Sequence, residues 1–233
     1  ISACLVGSEM CIRDRYMNIE LELRELREVT APESVRNGAL LRTGLADAYF
    51  PLETPLGWLF VAYGERGVSA VLAADSASQF ERKFRQETRR PAVPVHDPPE
   101  RLVRTLREWL AGDRRHKLSF DLRGRSEFEK AVLLKALEIP YGEIRPYTWI
   151  AREIGHPKAV RAVGTALAHN PVPLFIPCHR VVRSDGLLGH YSLIGDHAKP
   201  AILAAEGLTV EPLQRLARSG VRYFGSDTTR IFC

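Results

Sequence analysis

Cys178, His179 and Arg180 stand side by side, directly after the apolar, proline-rich run Asn170-Pro171-Val172-Pro173-Leu174-Phe175-Ile176-Pro177. The thiolate is the nucleophilic form of cysteine, and neighbouring positive charge is expected to lower the Cys178 pKa from its ordinary value of about 8.5. An apolar wall keeps water from the sulfur, and prolines, with φ fixed, stiffen the backbone that aims it. These features predict a nucleophile at Cys178; an inert buried cysteine is the alternative that adjacency alone leaves open. The remaining cysteines, Cys4, Cys11 and Cys233, are scattered and form no C-x-x-C pair. That spacing argues against a disulfide framework and against a complete zinc site. No metal and no cofactor are therefore expected, and free thiols point to a reducing, cytoplasmic compartment.

The elements that must position this segment fall into two groups. Short β-rich runs at 48–52, 57–63 and 67–72 are punctuated by Thr54-Pro55-Leu56-Gly57 and Gly64-Glu65-Arg66-Gly67, which predicts antiparallel strands joined by tight turns. A helix is expected over 76–87 with Ser76 as N-cap, and another over 98–111 with Leu102, Val103, Leu106, Trp109 and Leu110 on one face. The alternation at 117–122 reads as a further strand. Beyond Arg123-Gly124-Arg125 the chain turns helical. Ser126 and Glu129 form a capping box for a helix over 126–137, and Pro140-Tyr141-Gly142 makes a turn. Short helices at 148–154 and 158–168, joined through Gly155-His156-Pro157, have the form of a helix-turn-helix, a pattern shared by many hairpins that never meet DNA. The predicted fold class is an α/β N-terminal domain, a small antiparallel sheet with helices over 46–123, plus a mainly α C-terminal domain with a helix-turn-helix over 124–209.

Net charge is +5 over 233 residues, which permits a polyanionic partner without requiring one. No apolar run approaches the ~20 residues that span a bilayer, which excludes a membrane-spanning helix. Residues 17–45 read as a charged leader with a short helix through Leu21, Leu23 and Leu26. Glu9-Met10-Cys11-Ile12-Arg13-Asp14-Arg15 resembles the translation of a transposon adapter, so residues 1–16 are expected to be foreign sequence and Met17 the natural start.

Pro177-Cys178-His179-Arg180-Val181 resembles the active-site signature of the O6-alkylguanine-DNA alkyltransferases, also called methylated-DNA–protein-cysteine methyltransferases. The resemblance runs from 128 to 207, about a third of the chain, in the family's order. Pro140-Tyr141-Gly142-Glu143 and Tyr147 come first, then Ala159-Val160-Arg161-Ala162-Val163-Gly164, Asn170-Pro171, Gly189-His190-Tyr191-Ser192, and Leu203-Ala204-Ala205-Glu206-Gly207. The N-terminal match is looser and implies a ribonuclease-H-like domain.

The resemblance implies a partner, duplex DNA containing O6-alkylguanine, and a role for each matched residue. Cys178 would take the alkyl group irreversibly. His179 would accept the thiol proton through a water, oriented by Glu206. Tyr147 would donate to guanine N3, and Asn170 would tie the two motifs together. Cys178 and Val181 main chain would read the exocyclic amine, with Pro173, Tyr191 and Ser192 lining the pocket. Arg161 would fill the space left by the flipped base, while Ala159, Ala162 and Gly164 let the helix approach the DNA closely. The loop between Tyr191 and Lys199 departs from the family, being about one residue longer and carrying Leu193-Ile194 where small residues are frequent. Bulky alkyl groups are therefore expected to enter poorly.

Residues 210–233 read as a linker and the start of a further domain: 220–233, ending at Cys233, resemble the opening of the zinc-binding domain of adaptive-response regulators, which suggests a truncated reading frame with no zinc bound. The chain is expected to act as a monomer. Two other classes remain: a Cys-His hydrolase, which would turn over esters or amides without needing Arg161, and a DNA-binding regulator, which would be indifferent to Cys178→Ala.

Overall fold

The computed structural model describes residues 31–189, 191, 193, 195 and 198–219. Helix α1 (Glu33–Arg42) leads into three strands, β1 (Asp47–Thr54), β2 (Gly57–Gly64) and β3 (Gly67–Leu72), paired antiparallel in sequence order. The turns between them need positive φ, supplied by Gly57 at 90° and Gly67 at 120°. Gly67 is constrained twice, since a Cβ there would lie 2.1 Å from the Ser119 carbonyl oxygen. The leader helix expected around Leu21 lies outside the described residues, and α1 forms in the later part of the predicted leader.

Two strand expectations are corrected. β4 (Ala92–Pro94) pairs in parallel with β1, giving the order β3-β2-β1-β4, so the sheet is mixed rather than antiparallel throughout. Three residues are too few to show alternation in sequence. Residues 117–122 form no strand; one parallel bridge joins Val68 to Phe120, held by Val68 N–H to Ser119 O and Asp121 N–H to Val68 O. The alternation there reflects docking of an extended segment on β3.

Period-two alternation gives the sheet two apolar faces. Tyr49, Ala62 and Ala70 pack on Phe80 and Phe84 of α2 (Ala77–Thr88), whose N-terminus is capped by Ser76 Oγ accepting from Gln79 N–H. The opposite face, with Phe50, Leu52, Leu59, Val61 and Val71, joins Leu106 of α3 (Glu100–Leu110) in the main core. That core continues without interruption into the C-terminal half, through Val132, Leu133 and Ala136 of α4 (Glu127–Leu137). The α4 capping box is present, with Ser126 and Glu129 bonding each other's main-chain N–H.

After β5 (Arg145–Pro146) come α5 (Tyr147–Glu153) and α6 (Val160–Ala168). Gly155, at φ 78°, ends α5 in a Schellman motif: Gly155 N–H bonds Arg152 O and His156 N–H bonds Ala151 O. This glycine is what allows the tight reversal from α5 into α6. A 3₁₀ turn (Cys178–Arg180) runs directly into β6 (Val181–Val182), which pairs in parallel with β5. Helices α7 (Ala198–Ala205) and α8 (Val210–Arg218) follow. Among the described residues no helix is long and apolar enough to cross a membrane.

One polar network is buried in the N-terminal half. Asp47 Oδ2 accepts from Ser69 Oγ at 2.5 Å and its Oδ1 from Arg90 Nη1 at 2.5 Å, while Arg90 Nη2 reaches Asp121 Oδ2 at 3.5 Å. Arg123 grips Asp121 through Nε at 2.8 Å and Nη2 at 2.5 Å. Burial raises the Asp121 carboxyl, but the bonds and charges of Arg123 and Arg90 outweigh it and hold the pKa below 3.8. The stabilisation from Asp121 is thus complete above its unfolded pKa and lost as pH falls. Arg90→Met removes the cation shared by two buried carboxylates, and chemical denaturation at neutral pH is expected to show a loss of about 3–5 kcal/mol. The deficit should shrink in acid; an unchanged midpoint would mean that the network contributes no net stability.

Candidate active site

Residues 170–182 are buried throughout, and one side chain organises them. Asn170 Oδ1 accepts Val172 N–H at 3.0 Å, and its Nδ2 donates to Ile176 O at 2.9 Å and to Cys178 Sγ at 3.2 Å. Ile176 N–H closes the loop on Val172 O at 2.9 Å. This double pinning holds Leu174 at φ 74°, a left-handed conformation unfavourable for a leucine. The sheet adds an outside anchor, Val71 N–H to Pro171 O at 2.8 Å. The sulfur is therefore fixed from both halves of the fold.

Next in sequence, His179 and Arg180 point their polar ends at a common carboxylate. His179 Nε2 lies 2.8 Å from Glu206 Oε1; Arg180 Nε lies 2.9 Å from Oε2 and Nη2 2.9 Å from Oε1. Arg180 Nη1 donates to Ile139 O at 2.7 Å, completing a buried guanidinium that is 2% exposed. Glu206 is aimed by helix termination. It is the C-cap of α7, followed by Gly207 at φ 84°, whose N–H bonds Ala204 O while Leu208 N–H bonds Leu203 O.

Burial pushes the Cys178 thiol above 9.0, and the Asn170 hydrogen bond and the Lys199 charge only partly offset it. The expected lowering by neighbouring charge is thus overturned. Arg180 is neutralised by Glu206, and burial depresses His179 below 6.5 despite the same carboxylate, so His179 is neutral. Burial raises Glu206, but its bonds to His179 and Arg180 prevail and bring it to about 2. The resting state is a neutral thiol beside a neutral imidazole. Since Nε2–H donates to the Glu206 carboxylate, Nδ1 of the neutral ring carries the lone pair, and it is buried without a hydrogen-bond partner.

Tyr147 starts α5, its phenol 5.9 Å (ring centroid) from Lys199 Nζ; Cβ atoms on Gly189 and Gly164 would come 3.3 Å from its Oη and 3.9 Å from its ring. Burial, then the Cys178 charge, raises its pKa, keeping it a protonated donor at neutral pH. Tyr191 is 6% exposed and meets His179 edge-on at 6.4 Å between ring centroids. Val181 and Pro173 are buried, while Ser192 lies outside the described residues. On α6, Val163, Ala166 and Leu167 are buried, Arg161 and Ala162 are exposed, and Gly164, like the N-cap residue Ala159, is intermediate. The cysteine loop and the exposed helix face thus come from adjacent segments. Sequence reasoning missed Lys199, 1% exposed, whose Nζ donates to Val181 O at 2.6 Å and to Leu188 O. Only its place in the first turn of α7, the helix that Glu206 caps, could have signalled it.

Residues 127–208 match the family model for the 6-O-methylguanine DNA methyltransferase DNA-binding domain. Methylated-DNA–protein-cysteine methyltransferase of Mus musculus is 36% identical over 69% of this chain and 81% of its own length. The protein of the same name from Methanosarcina acetivorans is 34% identical over 68% of this chain and 97% of its length. A crystal structure of Mycobacterium tuberculosis OGT in complex with DNA superposes with a TM-score of 0.55 at 34% identity, covering 68% of this chain and 92% of that one. Residues 220–233, where the zinc-domain resemblance falls, lie outside the described residues.

Glu206 contributes stability that is complete above about 4.5 and is lost as pH falls toward about 2. Glu206→Gln leaves a buried guanidinium unpaired, and equilibrium unfolding at pH 7 is expected to show about 3–5 kcal/mol less stability. The variant should also lose part of the acid dependence; wild-type stability at pH 7 together with an unchanged acid dependence would contradict the pairing.

Proposed function

This chain belongs to the methylated-DNA–protein-cysteine methyltransferase family, and from that premise we propose that it repairs DNA by moving a methyl or other alkyl group from guanine O6 to Cys178, once and irreversibly. The observation that carries the reading is the buried relay: Sγ held by Asn170, and neutral His179 held by Glu206 with Nδ1 left open. A thiol with a raised pKa cannot attack as it stands. It needs a base at the moment of reaction, and His179 Nδ1, reached through a water, is the group suited to that task.

The steps follow from charge. The thiol proton passes to His179, whose positive charge the Glu206 carboxylate stabilises. The sulfur pair forms the S–C bond as the C–O6 bond breaks and its electrons pass to the base. Guanine finally recovers the ring proton that its O6-alkyl form lacks, so no proton is lost overall. Tyr147 donates a hydrogen bond to N3 while negative charge develops on the base, and the Cys178 and Val181 carbonyls read the exocyclic amine. The product thioether has no leaving group that water can displace, so each molecule acts once.

A buried sulfur cannot reach a stacked base, so the nucleotide leaves the duplex first. Arg161, exposed on α6, fills the vacancy, and the small residues Ala159, Ala162 and Gly164 let the helix lie close in the minor groove. In this reading residues 124–209 carry the chemistry and residues 46–123 support it as a ribonuclease-H-like layer. The protein works as a cytoplasmic monomer without a cofactor.

Intact-protein mass spectrometry after incubation with a duplex containing O6-methylguanine tests the reading. One methyl-sized gain is expected on Cys178, saturating at one per molecule and absent from Cys178→Ala. No gain by folded protein would sink it. Arg161→Ala is expected to slow transfer by about 10-fold or more while leaving transfer from the free base unchanged, since only the duplex requires extrusion.

A further inference from the structure

Tyr141 lies in the turn between α4 and β5, with 37% of its surface exposed, yet its contacts converge on the buried relay. Its Oη donates to Ala205 O at 3.2 Å, a carbonyl in the last turn of α7 and one residue before Glu206. Its ring faces the Arg180 guanidinium, 5.4 Å from the ring centroid. The next residue, Gly142, places its N–H 3.4 Å from Glu206 Oε2.

The ring is also pressed from the N-terminal half. A Cβ on Gly112 would sit 2.8 Å from Tyr141 Cγ, so the turn after α3 abuts the ring as closely as glycine allows. Arg114, in the same turn, stacks 4.1 Å from the Trp109 ring centroid. Burial and the Arg180 charge lower its pKa to about 10, which places the two guanidiniums in one electrostatic neighbourhood with Glu206. A guanidinium–aromatic pair thus flanks each side of the seam.

We propose that Tyr141 is a positioning residue for alkyl transfer, holding the Glu206 end of α7 and the Arg180 guanidinium in register with His179, with the turn at 111–114 fixing its ring. The proposal rests on the alkyl-transfer reading above. Arg180 binds Glu206 through two nitrogens, whereas His179 binds it through one. A loosened α7 terminus would let the carboxylate follow the guanidinium and leave the imidazole unoriented. Tyr141 belongs to neither the sulfur loop nor the α6 surface, so its loss leaves DNA binding intact. Being partly exposed, it also leaves no sealed void when truncated.

Single-turnover methyl transfer from an O6-methylguanine duplex, measured over a range of DNA concentrations, separates rate from affinity. Tyr141→Leu is expected to lower the saturated rate by about 10-fold or more with the dissociation constant within about twofold. Tyr141→Phe keeps the ring beside Arg180 but loses the bond to Ala205 O, and its saturated rate is expected to fall between those of wild type and Tyr141→Leu. Gly112→Ala, which displaces the ring from the other side, should behave like Tyr141→Leu in its folded fraction. A wild-type saturated rate in Tyr141→Leu would overturn the positioning role, as would a loss that follows DNA affinity or the melting transition. Inert wild-type protein would instead overturn the alkyl-transfer reading, and this proposal with it.

Discussion

The catalytic half is built around one buried ion pair, Arg180 with Glu206. Their side chains are 2% and 7% exposed, and each charge would cost several kcal/mol to bury alone. Pairing alone would not make such burial favourable; the remaining hydrogen bonds must also be satisfied. Arg180 meets that demand through Ile139 O, and Glu206 through His179. The turn before β5, the 3₁₀ turn at Cys178–Arg180 and the C-terminus of α7 are thereby locked to each other. Replacing the pair with apolar residues could give equal stability, but would abolish the fixed orientation of His179. The pair is better understood as a specifier of geometry than as a source of stability.

The same pair explains why the thiol is protonated at rest. With its guanidinium fully engaged by carboxylate, Arg180 offers little net positive charge to the sulfur, and burial dominates Cys178. An unpaired arginine beside the cysteine would give a standing thiolate, open to oxidants and stray electrophiles. For the single-use nucleophile proposed above, formation only when a base and a substrate are both present is the safer arrangement. Glu206, which cancels Arg180 at rest, is also the group that would support a protonated His179 in the proposed transfer.

Much of this was legible in the sequence, for identifiable reasons. Local rules found what local residues decide: Ser76 and Ser126 as caps, Gly57 and Gly67 as turns, and Gly155 between α5 and α6. The motif around Cys178 was legible because its rare residue types occur in an order that chance seldom produces. Sequence reasoning failed where a property depends on partners distant in the chain. Proximity of Arg180 to Cys178 suggested an acidified thiol, and only the contact with Glu206, separated from Arg180 by 26 positions, reverses that expectation. Lys199 was missed because a lysine reads as surface until its two buried carbonyl acceptors are seen. The parallel pairing of β4 was missed because three residues carry no period.

The two halves of the chain are less separable than their compositions suggest. The main apolar cluster runs from Phe50 and Val61 of the sheet through Leu106 and Leu118 to Val132, Ile150 and Phe175, so the two halves share their largest core. Two further ties land on the active site itself: Val71 N–H on the cysteine loop at Pro171, and Gly112 against Tyr141. A nucleophile used once, as proposed for Cys178, gains nothing from fast product release, and so has no need of a mobile site. Under that proposal, rigidity that would slow a turnover enzyme carries no penalty, and a strained loop such as that at Leu174 can be pinned by Asn170 and by the sheet. The N-terminal layer, which supplies none of the reacting groups, is then explained as the other wall of a mould around Cys178.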